Sequence, residues 1–262
     1  MAPLFVDLSV ELDDLPSERV PVRVRRVAHR EGAAEMSALF GVPAGELPGG
    51  LGWAGEEFTL ITHAGTHMDA PWHYGPVCAG QPAAFIAEVP LEWCFAPGVV
   101  LDVRAHPDGH ELAPADLEAA LEGIPHRLAP GEIVLLRTGA DVAWGTAEYP
   151  ERGCGLGRAS LLWLLERGVR VVGTDAWGLD RPFGAMRAAY VHSGDPAVIW
   201  PTHFAGRERA YCQLEKLAHL ERLPPTGFTL ACFPVKLHRA GAAWVRAVAL
   251  VGPQVAAAEV QP

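Results

Sequence analysis

The sequence has no uninterrupted apolar run of about 18 residues, the length that a membrane-spanning helix needs. Its first residues lack a basic stretch leading into an apolar core, so no secretory leader is expected. Positive charge is in short supply: 21 Lys and Arg stand against 31 Asp and Glu, a formal net charge of −10. An acidic surface is repelled by phosphate backbones and by anionic lipid, which removes nucleic acid and membrane from the expected partners. Cysteine is scarce as well. The five present, Cys78, Cys94, Cys154, Cys212 and Cys232, are odd in number, widely spaced and free of any C-x-x-C pair. That excludes a disulfide framework and a zinc ribbon and fits a reducing compartment, so a soluble cytoplasmic protein is expected. There is no repeat, no low-complexity tract and no sign of a second domain. Residues 1–262 are read as one domain, long enough to bury a sizeable core.

What is present is an ordinary globular balance, half hydrophobic and one fifth charged. Leu4 to Val10 reads as a first strand, with Asp7 as a turn carboxylate. Val20, Val22 and Val24 alternate with polar or proline positions, which predicts a strand with one wet face. Glu31 to Phe40 reads as a helix that Gly41 stops. A loop rich in Gly and Pro follows up to Gly55, either a pocket rim with Trp53 as a substrate wall or a plain surface crossing. Glu57 to Thr62 reads as a buried strand. Further strands are predicted at Gly98–Val103, Ile133–Arg137, Val169–Thr174, Thr226–Val235 and Ala243–Val251, and helices at Pro114–Gly123 and Arg158–Gly168. Helix-then-strand units at 114–137 and 158–174 predict an α/β fold with some parallel pairing. The tail from Gly252 onward is expected to be loosely held.

The densest chemistry lies in His63-Ala-Gly-Thr-His67-Met-Asp69-Ala-Pro-Trp-His73. Gly65 and the β-branched Thr66 argue against a helix here, so the H-x-x-x-H spacing is not that of a zinc helix. On an extended chain His67 and Asp69 point the same way. A loop folding back at Gly65 brings His63 to the same centre. Two imidazoles and a carboxylate leave a position open for water, as in catalytic zinc sites, and the set also suits Mn²⁺ or Fe²⁺. The bland alternative is a set of ordinary histidines on a polar loop.

These residues resemble the H-x-G-T-H-x-D-x-P-x-H signature of the cyclase family of metal-dependent hydrolases, which includes bacterial kynurenine formamidase and isatin hydrolase. All seven fixed positions are met. Asp7-Leu8-Ser9 is similar to a tripeptide near that family's N-terminus. The resemblance implies a swivelling β/β/α arrangement with a central barrel-like mixed sheet and flanking helices, assembled as a homodimer or homotetramer. It also implies that His203 and Glu215, twelve residues apart, belong to the site, because Glu215-Lys-Leu217-Ala-His-Leu220 is similar to the family's Glu-x-Leu-x-x-Leu run. Without it, Glu215 reads as a solvated helix carboxylate and His203 as a loop residue. His192, His219 and His238 have no such support.

By the resemblance, His63, His67 and Asp69 hold a first metal. His73, His203 and Glu215 either help hold a second, with Asp69 shared, or surround the substrate and move protons. The cofactor is then one or two Zn²⁺, or Mn²⁺. Asp175 at a strand end is a candidate partner for a metal-binding histidine, and Arg181 a candidate clamp for a substrate carboxylate. Either residue also fits an internal Asp–Arg pair closing a turn. Trp53, Trp72, Trp177 and Phe183 offer stacking surface for a planar small molecule, or plain core packing. The expected activity is hydrolysis of an amide or lactone by metal-activated water. A ring-closing lyase and a non-catalytic binding protein are the alternatives.

Overall fold

The computed structural model describes residues 3–252, so the predicted loose tail, apart from Gly252, lies outside the described residues. The fold is mixed α/β, a nine-stranded sheet curled into a half-barrel with flanking helices. Its strands in chain order are Leu4–Asp7 (β1), His67–Asp69 (β2), Phe95–Asp102 (β3), Ile133–Arg137 (β4), Val171–Thr174 (β5), Cys212–Glu215 (β6), Phe228–Ala231 (β7), Ala242–Trp244 (β8) and Val248–Val251 (β9). The spatial order is β1-β9-β7-β3-β4-β5-β6-β2-β8. The pairs β3–β4, β4–β5 and β5–β6 are parallel and the others antiparallel.

The parallel centre follows from its connections. Helix α3 (Pro114–Glu122) crosses from β3 to β4, and α4 (Arg158–Glu166) from β4 to β5. Two further helices, α5 (Phe183–Ser193) and α6 (Pro201–Ala205), fill the connection from β5 to β6. Parallel strands covered on both faces need apolar residues at every position. Ile133 and Leu135 accordingly face one core with Val100 and Val171, while Val134 and Leu136 face the other with Val99, Leu101 and Val172. Helix α4 closes that second core with Leu161, Leu164 and Leu165 at helical spacing. Helix α1 (His29–Phe40) ends where predicted, at Gly41 with φ +68°.

Three sequence expectations fail. The stretch expected as a buried strand at 57–62 forms Gly55–Thr59, which pairs only with Arg23–Val27 in a two-stranded ribbon. The ribbon stands off the main sheet, so Phe58 is 44% exposed despite its apolar side chain. The apolar run at 243–251 is two strands: β8 lies at one edge of the sheet and β9 next to the other. Residues 245–247 carry the chain across between them, which ties the sheet's two ends together. Finally, Glu215 is the last residue of a buried strand and not a solvated helix carboxylate.

Candidate metal centre

The motif does not simply leave a strand for a loop. Gly65 adopts φ +60° and turns the chain, so His63 folds back over His67. Residues 67–69 then enter the sheet as β2, between β6 and β8. The two-residue period sends His67 and Asp69 to one face, and the β6 register sets Glu215 opposite His67. Asp69 lies one short helical turn before His73, on α2 (Pro71–Tyr74). His203 arrives from α6 with its ring stacked flat on Trp200, centroids 4.4 Å apart.

The structure thus brings His63, His67, Asp69, His73, His203 and Glu215 together around Asp69. One Asp69 oxygen, Oδ1, lies 2.9 Å from His63 Nδ1 and 3.4 Å from His67 Nε2. The other, Oδ2, lies 3.7 Å from His73 Nε2 and 3.9 Å from His203 Nε2. Glu215 Oε2 is 3.4 Å from His67 Nε2. Donor atoms of His63, Asp69 and His73 lie within 4.8 Å of one another, as do those of His67, Asp69 and Glu215. The distances also keep His63, His67 and Asp69 together, since His63 Nδ1 lies 3.2 Å from His67 Nε2.

Asp69 supplies the fit test for a cation. It is 1% exposed, and neither oxygen accepts a hydrogen bond. A buried carboxylate without partners is costly, and nitrogen donors converging on it without hydrogen-bond geometry suit a metal ion. His67 supports the same view: its Nδ1 donates to Gly65 O at 2.9 Å, so in the neutral ring the Nε2 lone pair faces Asp69. Among the protein's own groups the positive charge falls on His67. Burial lowers its pKa, but the charges of Asp69 and Glu215 outweigh this and push it up to about 9. Burial alone would raise the Asp69 carboxyl, yet the neighbouring imidazoles hold it well below the usual range. His73 is lowered, chiefly by burial. His203 is raised, because Asp180 more than offsets its burial.

Beside the donors opens a cavity of about 190 Å³, walled by Trp177, Phe183 and Trp200. Arg181 also lines it; its Nη2 is 3.1 Å from Glu111, while its buried Nε has no hydrogen-bond partner. Three other candidates lie apart from the cavity. Trp53 donates from Nε1 to Glu35 at 2.8 Å and packs on α1. Trp72 packs against Phe85 with centroids 4.6 Å apart and ring planes tilted by 43°. Asp175 accepts from the backbone N–H groups of Thr138 and Gly139, both at 2.8 Å, and contacts no histidine. The carboxylate that does orient a site histidine is Asp180, whose Oδ2 accepts from His203 Nδ1 at 2.5 Å. Sequence reasoning passed over it because Asp175 and Asp180 flank the same turn and only packing tells them apart. It also missed Trp200, Lys216 and Glu18; nothing in the local sequence links Glu18 to the motif. A second donor group, His106, His110 and Asp116, is accounted for differently. Asp116 Oδ2 caps α3 by accepting from Ala113 N at 2.7 Å.

The family model described as "Putative cyclase" matches residues 6–181. Isatin hydrolase A from Labrenzia aggregata, solved with benzyl benzoate, is 26% identical with a TM-score of 0.71, covering 95% of this chain and 94% of its own. Isatin hydrolase A from Ralstonia solanacearum is 24% identical with a TM-score of 0.75, covering 95% and 92%. A protein described as a potential metal-dependent hydrolase with cyclase activity shares the fold at 18% identity and a TM-score of 0.63, covering 96% and 100%. The chain belongs to the putative cyclase family, and with the donor set it carries and its likeness to the isatin hydrolases it is an enzyme, a hydrolase of that family.

Proposed function

We propose that the protein is a metal-dependent hydrolase that opens an amide or lactone bond in a small planar, cyclic or aromatic substrate. The observation that carries this reading is Asp69, buried with two unpartnered oxygens among four imidazoles and Glu215, at the floor of an aromatic-walled cavity. His63, His67 and Asp69, with His73, His203 and Glu215 in reach, would hold one or two Zn²⁺ or a Mn²⁺. When bound, such an ion lowers the pKa of water toward neutrality and polarises a carbonyl.

The chain's own residues supply the rest. His73, its pKa lowered by burial, is neutral near pH 7 and suited to accept a proton from the attacking water. Asp180 holds His203 with Nδ1 protonated and Nε2 toward the centre. The same carboxylate keeps His203 protonated to higher pH, which suits donation to the leaving nitrogen or oxygen. Trp200, flat against His203, limits its rotation. Trp177 and Phe183, with centroids 5.0 Å apart, present a ring edge and face to a planar substrate and exclude water from it. Isatin, the substrate named for two of the relatives, is a planar cyclic amide and fits this class. Five buried free thiols support a cytoplasmic setting, and a homo-oligomer remains part of the proposal.

Elemental mass spectrometry on Asp69→Ala, paired with turnover on a panel of cyclic amides and lactones, tests the reading. Metal and activity are expected to disappear together, and full turnover without metal would overturn it. Incorporation of oxygen-18 from water into product separates hydrolysis from ring closure.

A further inference from the structure

Behind the loop bearing His63, Glu18 and Lys216 form an ion pair whose side chains are 3% and 1% exposed. Lys216 Nζ lies 2.7 Å from Glu18 Oε2 and donates a second bond to His63 O at 2.8 Å. Glu18 Oε1 accepts from Gly65 N at 2.6 Å. The main chain adds a further link, Thr66 Oγ1 to Lys216 O at 2.6 Å. The pair therefore grips the backbone on both sides of the turn that folds His63 over His67. Lys216 directly follows Glu215, so the same contacts join the loop half of the metal centre to the strand half. Residue 216 adopts φ +57°, an uncommon conformation for a side-chain-bearing residue, held by these contacts.

A buried ion pair is a poor source of stability, since desolvation offsets most of its attraction. What this pair does supply is direction. The His63 ring is 26% exposed, and its Nδ1 contacts lie inside the donor cluster, at Asp69 and His67. We propose that Glu18 and Lys216 are positioning residues that fix His63 as a metal ligand, and so set the affinity of the centre through that histidine. The proposal rests on the reading of the site as a metal centre.

The test is the zinc dissociation constant of chelator-stripped protein, measured by competition with a chromophoric chelator, with thermal melts to confirm folding. Lys216→Met is expected to weaken zinc binding by about 10- to 100-fold, the range for groups that orient ligands. His63→Ala is expected to weaken it at least as much. The combination should be no worse than His63→Ala, because Lys216 acts through a ligand already gone. Additive losses would overturn the proposal. So would an unchanged constant in Lys216→Met with a raised KM, which would make Lys216 a substrate contact. Should Lys216→Met fail to fold with Glu18 left unpaired, Glu18→Gln/Lys216→Met removes both charges and takes its place in the cycle. Wild-type protein that takes up no ion would overturn the metal reading itself, whereas wild-type binding matched by the variants would overturn this proposal only.

Discussion

Metal binding should expel a proton, and the donor is His67. In the metal-free protein burial lowers its pKa, but Asp69 and Glu215 carry it up to about 9. An imidazole ligates only when neutral. At pH 7 the ion must therefore displace a proton held about two pH units above ambient, a cost of about 3 kcal/mol or about a hundredfold in affinity. Apparent affinity should rise about tenfold per pH unit from pH 7 to pH 9 and then level off. The same pairing appears as the low pKa of Asp69. Titration calorimetry of stripped protein in buffers of differing ionisation enthalpy reads the proton directly, with about one released per chain at pH 7 to 8. Stability has its own sign. His67 is raised from 6.5 to about 9, so its contribution is complete below pH 6.5 and lost as pH climbs through 9. Metal-free protein should lose about 3 kcal/mol across that window, while loaded protein, with His67 neutral throughout, should not. Binding heats independent of the buffer, or equal melting of stripped protein at pH 6 and pH 9.5, would refute the assignment of His67 as a charged imidazole that a metal must discharge.

Asp180→Asn should lower kcat by about 10- to 100-fold with little change in KM. The alkaline limb of the kcat profile should move to lower pH, since the carboxylate that raises His203 is gone; a limb that stays put would remove His203 as the proton donor. Gly155→Ala should destabilise by about 1–3 kcal/mol or more, read by denaturant melts, because rigid backbone leaves no room for overpacking. Its Cβ would sit 2.3 Å from the backbone N of Arg181. Burial pushes Asp175 up to about 6 against its hydrogen bonds. Its contribution is complete below pH 3.8 and fades as pH rises to 6, so the stability difference between wild type and Asp175→Asn should shift over that window and be flat above it.

The motif was legible because its chemistry depends on spacing that a strand preserves. His67 and Asp69 share a face by the two-residue period, and Gly65 announced the turn that returns His63. The parallel centre was legible from alternating helix and strand patterns at 114–137 and 158–174. Long-range packing was not. Glu215 sits in a four-residue strand among charged residues, and its burial depends on β2 and β5 alongside it. Phe58 looks like core until the ribbon is seen to stand away from the sheet. Asp180 and Asp175 carry the same charge five residues apart, and only their partners, His203 in one case and the Thr138–Gly139 backbone in the other, separate their roles.

The position of β2 bears on the order of events during synthesis. Asp69 pairs with Gln213 on one side and Ala242 on the other. Contacts so distant in sequence form late, because the loops they close are long. On the ribosome His67 and Asp69 emerge early but have no neighbours; the last donor, Glu215, comes with β6, and the other edge of β2 stays open until the strand ending at Trp244 is released. A truncation before β8 would leave an acidic polypeptide carrying the whole histidine motif with no strand on that side to hold it in place.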